Sequence, residues 1–101
     1  MLIYNVTTKV EWSIADDWVR WMKEEHIPTV IATGYFIKFQ FVKLLESDEE
    51  EGPTFAIQYF VPSQNDFDAY IKFHADAFRK EIIEKWGNRF IAFRSLMEVV
   101  P

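Results

Sequence analysis

The chain has 101 residues, enough for one domain with a single core, and it has no cysteine, which excludes disulfides, thiolate metal sites and cysteine nucleophiles. A net charge of −5 with eleven scattered basic residues speaks against nucleic acid, whose phosphates require clustered Lys and Arg. Half of the residues are hydrophobic and 18% are aromatic, more than so small a domain can hide, so part of that surface is expected to face a second copy of the chain.

Met1 to Val6 begins at once with strand-like alternation and lacks the basic and long apolar segments of a secretory leader; no apolar run reaches bilayer length. The expectation is a cytoplasmic protein without membrane association. Leu2 to Val10 reads as a first strand, with Leu2, Tyr4, Val6, Thr8 and Val10 on one face and Ile3, Asn5, Thr7 and Lys9 on the other. Ser13 offers an N-cap, with Asp16 three residues on, and Ile14, Trp18, Trp21 and Met22 then follow at helical spacing. Pro28 disfavours helical backbone at Ile27, so this helix is expected to end or bend near His26. A short helical turn from Pro28 closes at Gly34.

Tyr35 to Leu45 reads as a long second strand, apolar on both faces. Glu46 to Pro53 is an acidic loop without Ca²⁺-loop spacing, expected to be solvated and mobile. Thr54 to Val61 gives a third strand, and Ser63 with Asp66 caps a second helix running to Trp86, its buried stripe formed by Phe67, Ile71, His74, Phe78 and Ile82. A bend near His74 to Asp76 is expected in so long a helix. Phe90 to Val100 is the fourth strand, assigned with Ile91, Phe93, Met97 and Val99 toward the helices and Ala92, Arg94, Leu96 and Glu98 away from them. The order β-α-β-β-α-β over residues 1–101 defines a single α+β domain of the ferredoxin-like kind. Four antiparallel strands in the order 4-1-3-2 carry two helices on one face. Trp18, Met22, Ile57, Phe67, Ile71, Phe78 and Phe93 are expected in the core between the layers.

Several segments carry a resemblance. Ile3-Tyr4-Asn5-Val6-Thr7, Trp21-Met22, His26-Ile27-Pro28, Ala32-Thr33-Gly34, Gln58-Tyr59 and Ala92-Phe93-Arg94 resemble a family of short bacterial proteins classed as a domain of unknown function. More loosely, the chain is similar to the dimeric α+β barrel superfamily, in which two ferredoxin-like sheets pack open face to open face. That resemblance implies a homodimer and leaves the activity open, since the scaffold serves monooxygenases, isomerases, haem enzymes and proteins without chemistry.

The open sheet face is where this reading looks for a ligand. Arg94, Asn5, Gln58 and Gln40 are assigned there, among Ile3, Thr7, Ala56, Phe60 and Leu96. Arg94 could hold a carboxylate or enolate oxygen that Asn5 and Gln58 orient. The competing reading has these side chains bonding one another across a dimer interface, with Arg94 paired to Glu98. His26 is the one catalytic candidate by residue type, against the plainer reading of a histidine capping the end of its helix. His74, on an apolar stripe, reads as a packing residue. Neither a metal nor any other cofactor is expected. The histidine spacing lacks a ligand motif, and Gly34, Gly52 and Gly87 read as caps or turns, not as a phosphate loop.

Two functional readings follow. One is a non-enzymatic homodimer that binds a small molecule or partner, or has a structural role. The other is a cofactor-independent monooxygenase- or isomerase-like enzyme acting on an aromatic or enolisable substrate between the sheets. The latter requires His26 and Arg94 to meet, which the assigned faces forbid unless the bend at Pro28 brings His26 round the sheet edge or into the partner's cavity.

Overall fold

A computed structural model describes residues 1–101. β1 (Leu2–Val10) is the pivot of the sheet, paired antiparallel with β3 (Thr54–Val61) on one side and β4 (Phe90–Glu98) on the other. β2 (Lys38–Lys43) pairs with β3, giving the order β2-β3-β1-β4. The architecture is the expected ferredoxin-like β-α-β-β-α-β arrangement.

The first helical arm runs as α1 (Ala15–Trp21), a π-helical turn (Met22–His26) and α2 (Ile27–Ala32). The second runs as α3 (Gln64–Tyr70), a π turn (Ile71–Ala75) and α4 (Asp76–Trp86). Tyr4, Ile57 and Tyr59 share one buried cluster with Trp18, Met22 and Tyr70, so both arms cover the same sheet face. The other face is bare within the protomer. No helix is long and apolar enough to cross a membrane.

Local chemistry explains most boundaries. Ser63 caps α3 as expected, its Oγ accepting from the Asp66 N–H at 3.2 Å. Ser13 does not cap α1: the turn from Glu11 to Ile14 leads in, and the helix begins at Ala15 with no side-chain cap. Nor does Pro28 end the first arm. Ile27 keeps helical angles (φ −59°, ψ −46°), and its N–H bonds the Met22 carbonyl five residues back. The widened turn spreads the backbone just ahead of the ring, so the helix passes a proline that a regular α turn would have to kink around. The second arm carries its own irregularity at Ile71–Ala75, beside the expected bend.

β2 is shorter than its apolar run. Gly34 sits at φ +86°, and Phe36 then turns inward to pack on Tyr4, Tyr59 and Tyr70 instead of joining the sheet. The acidic loop is fastened, contrary to its composition. Trp12 donates its indole N–H to the Glu49 carbonyl at 2.8 Å, Lys9 Nζ reaches the Asp48 carbonyl at 3.0 Å, and Lys43 pairs with Glu49 at 3.2 Å. Where this loop re-enters the sheet, Gly52 lies so close to β1 that a Cβ would overlap the Val10 carbonyl oxygen. Gly52 is therefore needed for close approach, not for a turn.

Of the expected core, Trp18, Met22 and Ile57 are buried, and Phe67, Ile71 and Phe78 pack against them half-buried. Phe93 is not in it; at 61% exposure it lies on the bare face. Two stability predictions follow. Trp18, with no exposed surface, contacts the rings of Phe41 and Phe55, and Trp18→Ala should cost about 3–5 kcal/mol in urea unfolding. Gly52→Ala should cost about 2 kcal/mol or more, because backbone cannot yield as a flexible side chain can.

Candidate functional site

Strand register decides which side chains can meet. Asn5 pairs with Gln58 and Ser95, whereas Arg94 pairs with Val6. Directly paired residues of an antiparallel sheet point to the same face, so Arg94 lies on the helix side with Tyr4 and Val6, not on the open face with Asn5. Leu96, opposite Tyr4, moves with it. The assignment misplaced β4 by one residue, which inverts every side chain. Its bulky row of Ile91, Phe93 and Met97 instead faces the bare side, opposite Lys9, Thr7 and Ile3. Both rows of β4 are partly apolar, so its pattern did not say which row the helices would cover.

The other open-face candidates lie as expected and bond one another. Asn5 donates from Nδ2 to Thr7 Oγ1 at 2.9 Å, and Gln40 donates from Nε2 to Gln58 Oε1 at 3.3 Å. Arg94 has no ion pair with Glu98; the chain's ion pairs are Arg20–Asp17 and Lys43–Glu49.

His26 is the surprise. The arm continues past it, so it does not cap a helix end, and the π turn leaves it 7% exposed. Its ring stacks on Trp21 (centroids 5.1 Å apart, 20° between planes) and meets the edge of Phe78 at 5.9 Å. From there it faces a cavity of about 40 Å³ between helices and sheet, whose wall also includes Arg94. The two residues that the sheet was expected to separate share one space. His74, on the second π turn, is a packing residue stacked on Phe78 and Tyr70, with Tyr35 nearby.

The cavity wall is mostly apolar and aromatic, yet four of its residues carry buried polar atoms without a hydrogen-bond partner in the protein: Trp18 Nε1, His26 Nδ1, Tyr59 Oη and Arg79 Nε. They come from α1, the first π turn, β3 and α4. Buried polar groups are nearly always satisfied, so four around one cavity leave hydrogen-bonding capacity there that water or a ligand can take up. From the sequence Trp18 reads as a core residue, and neither Tyr59 nor Arg79 stands out. The only available signal was chemical: buried Tyr and Trp carry a polar end that needs a partner.

Burial, with the charge of Arg94 second, pushes the His26 imidazole down to about 4, so it is neutral at pH 7. Burial also holds the Tyr59 and Tyr70 phenols well above their usual range. Neighbouring tyrosines add to this at both, while Arg94 and Arg79 oppose it at Tyr70. A second, broader hollow of about 400 Å³ lies where β1 and β4 meet the acidic loop, with Lys9, Glu11, Glu51 and Arg89 at its walls. It is polar and has charges of both signs. The cavity between the layers, with its aromatic wall and convergent polar groups, is the better candidate site.

The protein has the fold of ferredoxin-like α+β domains. It is similar over 99% of its length to a dimeric ferredoxin-like protein from an uncultured marine organism (TM-score 0.67, 16% identity, 96% of that chain covered). It is also similar to an antibiotic biosynthesis monooxygenase (TM-score 0.69, 12% identity, all of both chains covered). An ethyl tert-butyl ether d (ethd) family protein from Bacillus halodurans matches at TM-score 0.70 with 10% identity, over 99% of this chain and all of its own. At these identities the likeness shows the fold alone. The chain itself belongs to the family described as a domain of unknown function (DUF4286), whose profile matches residues 1–100. No curated protein matches it.

Because His26 resists protonation only when folded, the unfolded chain takes up the proton first as pH falls. The associated stability is full above about pH 6.5 and should be lost between there and about pH 4, by up to about 3 kcal/mol. Urea titrations across that window should show a slope that His26→Phe removes, after subtraction of the carboxylate contribution common to both proteins.

Proposed function

We propose that this protein is a homodimeric small-molecule-binding module, with one binding site in the interlayer cavity of each protomer. The observation that carries the reading is the convergence of Trp18, His26, Tyr59 and Arg79, each with a buried unpaired polar atom, on one aromatic-walled space. The cavity volume admits a group of a few atoms. The rest of a ligand would extend past Arg94, which is exposed on the edge strand β4. The site thus belongs under the helices, while the bare face serves association. That division of labour is supported by the exposed Ile91 and Phe93 on the bare face, at 71% and 61%, and by the dimeric relatives.

One observation favours a second reading, a cofactor-independent isomerase- or monooxygenase-like enzyme. His26 is neutral and shares the cavity with Arg94. In the isomerase form, a proton would leave the carbon next to a carbonyl for His26, and the electron pair would pass to the carbonyl oxygen held by Arg94. The proton would then return at the conjugated carbon, with no net redox change. The basicity of His26 argues against this. A general base works well with a pKa near the working pH, and one at about 4 takes a proton reluctantly. Binding is the better-supported function.

A small aromatic fragment library, followed by NMR, tests the location. Hits should move the side-chain signals of Trp18, His26 and Tyr59 and leave Asn5 and Gln58 unmoved. Hits confined to Asn5, Gln58 and Gln40 would put the ligand between the sheets and overturn the reading. Association is tested separately: Phe93→Asp should convert a dimer into a folded monomer in light-scattering chromatography, because a carboxylate cannot be buried unpaired in an apolar interface.

A further inference from the structure

The polar content of the interlayer cavity has one sign. None of its lining residues is Asp or Glu, although the chain has sixteen of them. Two arginines line it, Arg79 from α4 and Arg94 from β4, and neither forms an ion pair. Both lie close enough to act on the Tyr70 phenol. The unpaired Arg79 Nε and Trp18 Nε1 carry N–H groups that can only donate. The Tyr59 hydroxyl stays protonated through neutral pH and can donate as well. His26 adds no charge there.

We infer that the ligand of this cavity is a small monoanionic acid, a carboxylate on an aromatic or similarly apolar body, whose oxygens are taken by Arg94, Arg79 and the indole N–H of Trp18. The inference rests on the cavity-binding reading given above and names the ligand class. A carboxylate supplies several acceptor positions and one negative charge, so it can engage guanidinium and indole donors together. A neutral carbonyl compound would satisfy one or two donors and leave both cations without a counter-charge. A phosphate dianion suits the wall poorly. Thirteen of the seventeen lining residues are hydrophobic, and no glycine-rich loop offers the row of backbone N–H groups that such a strongly hydrated ion needs. The cavity, at about 40 Å³, takes the carboxyl group, and the apolar body of such an acid extends outward past Arg94.

Three probes of one ring size test this: benzoate, benzamide and toluene, titrated into the whole protein while the Trp18 and His26 side-chain signals are followed. Benzoate should bind at least about tenfold more tightly than benzamide. Arg94→Gln should remove most of that preference, Arg94→Lys should keep part of it, and Arg79→Gln with Arg94→Gln should abolish it. If benzamide or toluene binds as tightly as benzoate, the anion inference falls and the cavity-binding reading stands. The inference also falls if the benzoate preference survives the double substitution. If none of the three probes moves either signal, both fall.

Discussion

Every strand residue of this protein must take one of two faces, and only one of them is covered within the protomer. Side chains alternate along a strand, so the helical arms on one side of β1 and β3 divide the whole sheet into two chemistries. Under the helices lie the aromatic rings of Tyr4, Tyr59, Phe55 and Phe41, closed over by Trp18 and Tyr70. On the bare side lie Phe93, Ile91, Ile3 and the paired amides of Gln40 and Gln58. The excess of apolar residues is thereby split between a core and an exposed apolar surface on the bare side. The cavity follows from the same division. It is the space that two helical arms leave when they pack over a row of large rings.

The π turns are the second organising device. Each arm has one, and each holds one of the two histidines. The first lets the chain pass Pro28 without a break and leaves His26 stacked on Trp21 over the cavity. The second brings Ala75 and the start of α4 against the same space, with His74 in an aromatic stack beside it. Such widened turns store an irregularity that a regular helix would avoid, and they concentrate at functional sites. Here both face a space whose wall holds four of the chain's six unpaired buried polar atoms.

Much of the fold was legible in the sequence for identifiable reasons. β1 and β3 alternate cleanly, Ser63 and Asp66 announce α3, and the element order leaves few topologies with right-handed crossovers. Legibility failed where two rules competed. At Pro28 the steric rule against helix was met by a wider turn. At Phe36 a strand-like run was drawn off into an aromatic cluster. Along Glu46–Glu51, charge suggested mobility, but three side-chain contacts to the loop, from Trp12, Lys9 and Lys43, hold it in place.

The sequence by itself determined the element order, the sheet pairing and the aromatic character of the interior, because these follow from periodicity, caps and composition, which are local. The candidate site was another matter. Asn5 and Gln58 could be assigned to a common face because β1 and β3 alternate cleanly, whereas Gln40 lies on a run apolar on both faces and is fixed there by its pairing with Gln58. Arg94 could not, because β4 is apolar enough on both rows for either to be covered. Only the pairing of Arg94 with Val6 puts it on the helix side, where it lines the same cavity as His26. The unpaired atoms of Trp18, Tyr59 and Arg79 are likewise invisible in one dimension, since being unsatisfied is a property of surroundings and not of residue type. Tertiary packing alone decided that two helices and two strands leave these groups facing one another across a space none of them fills.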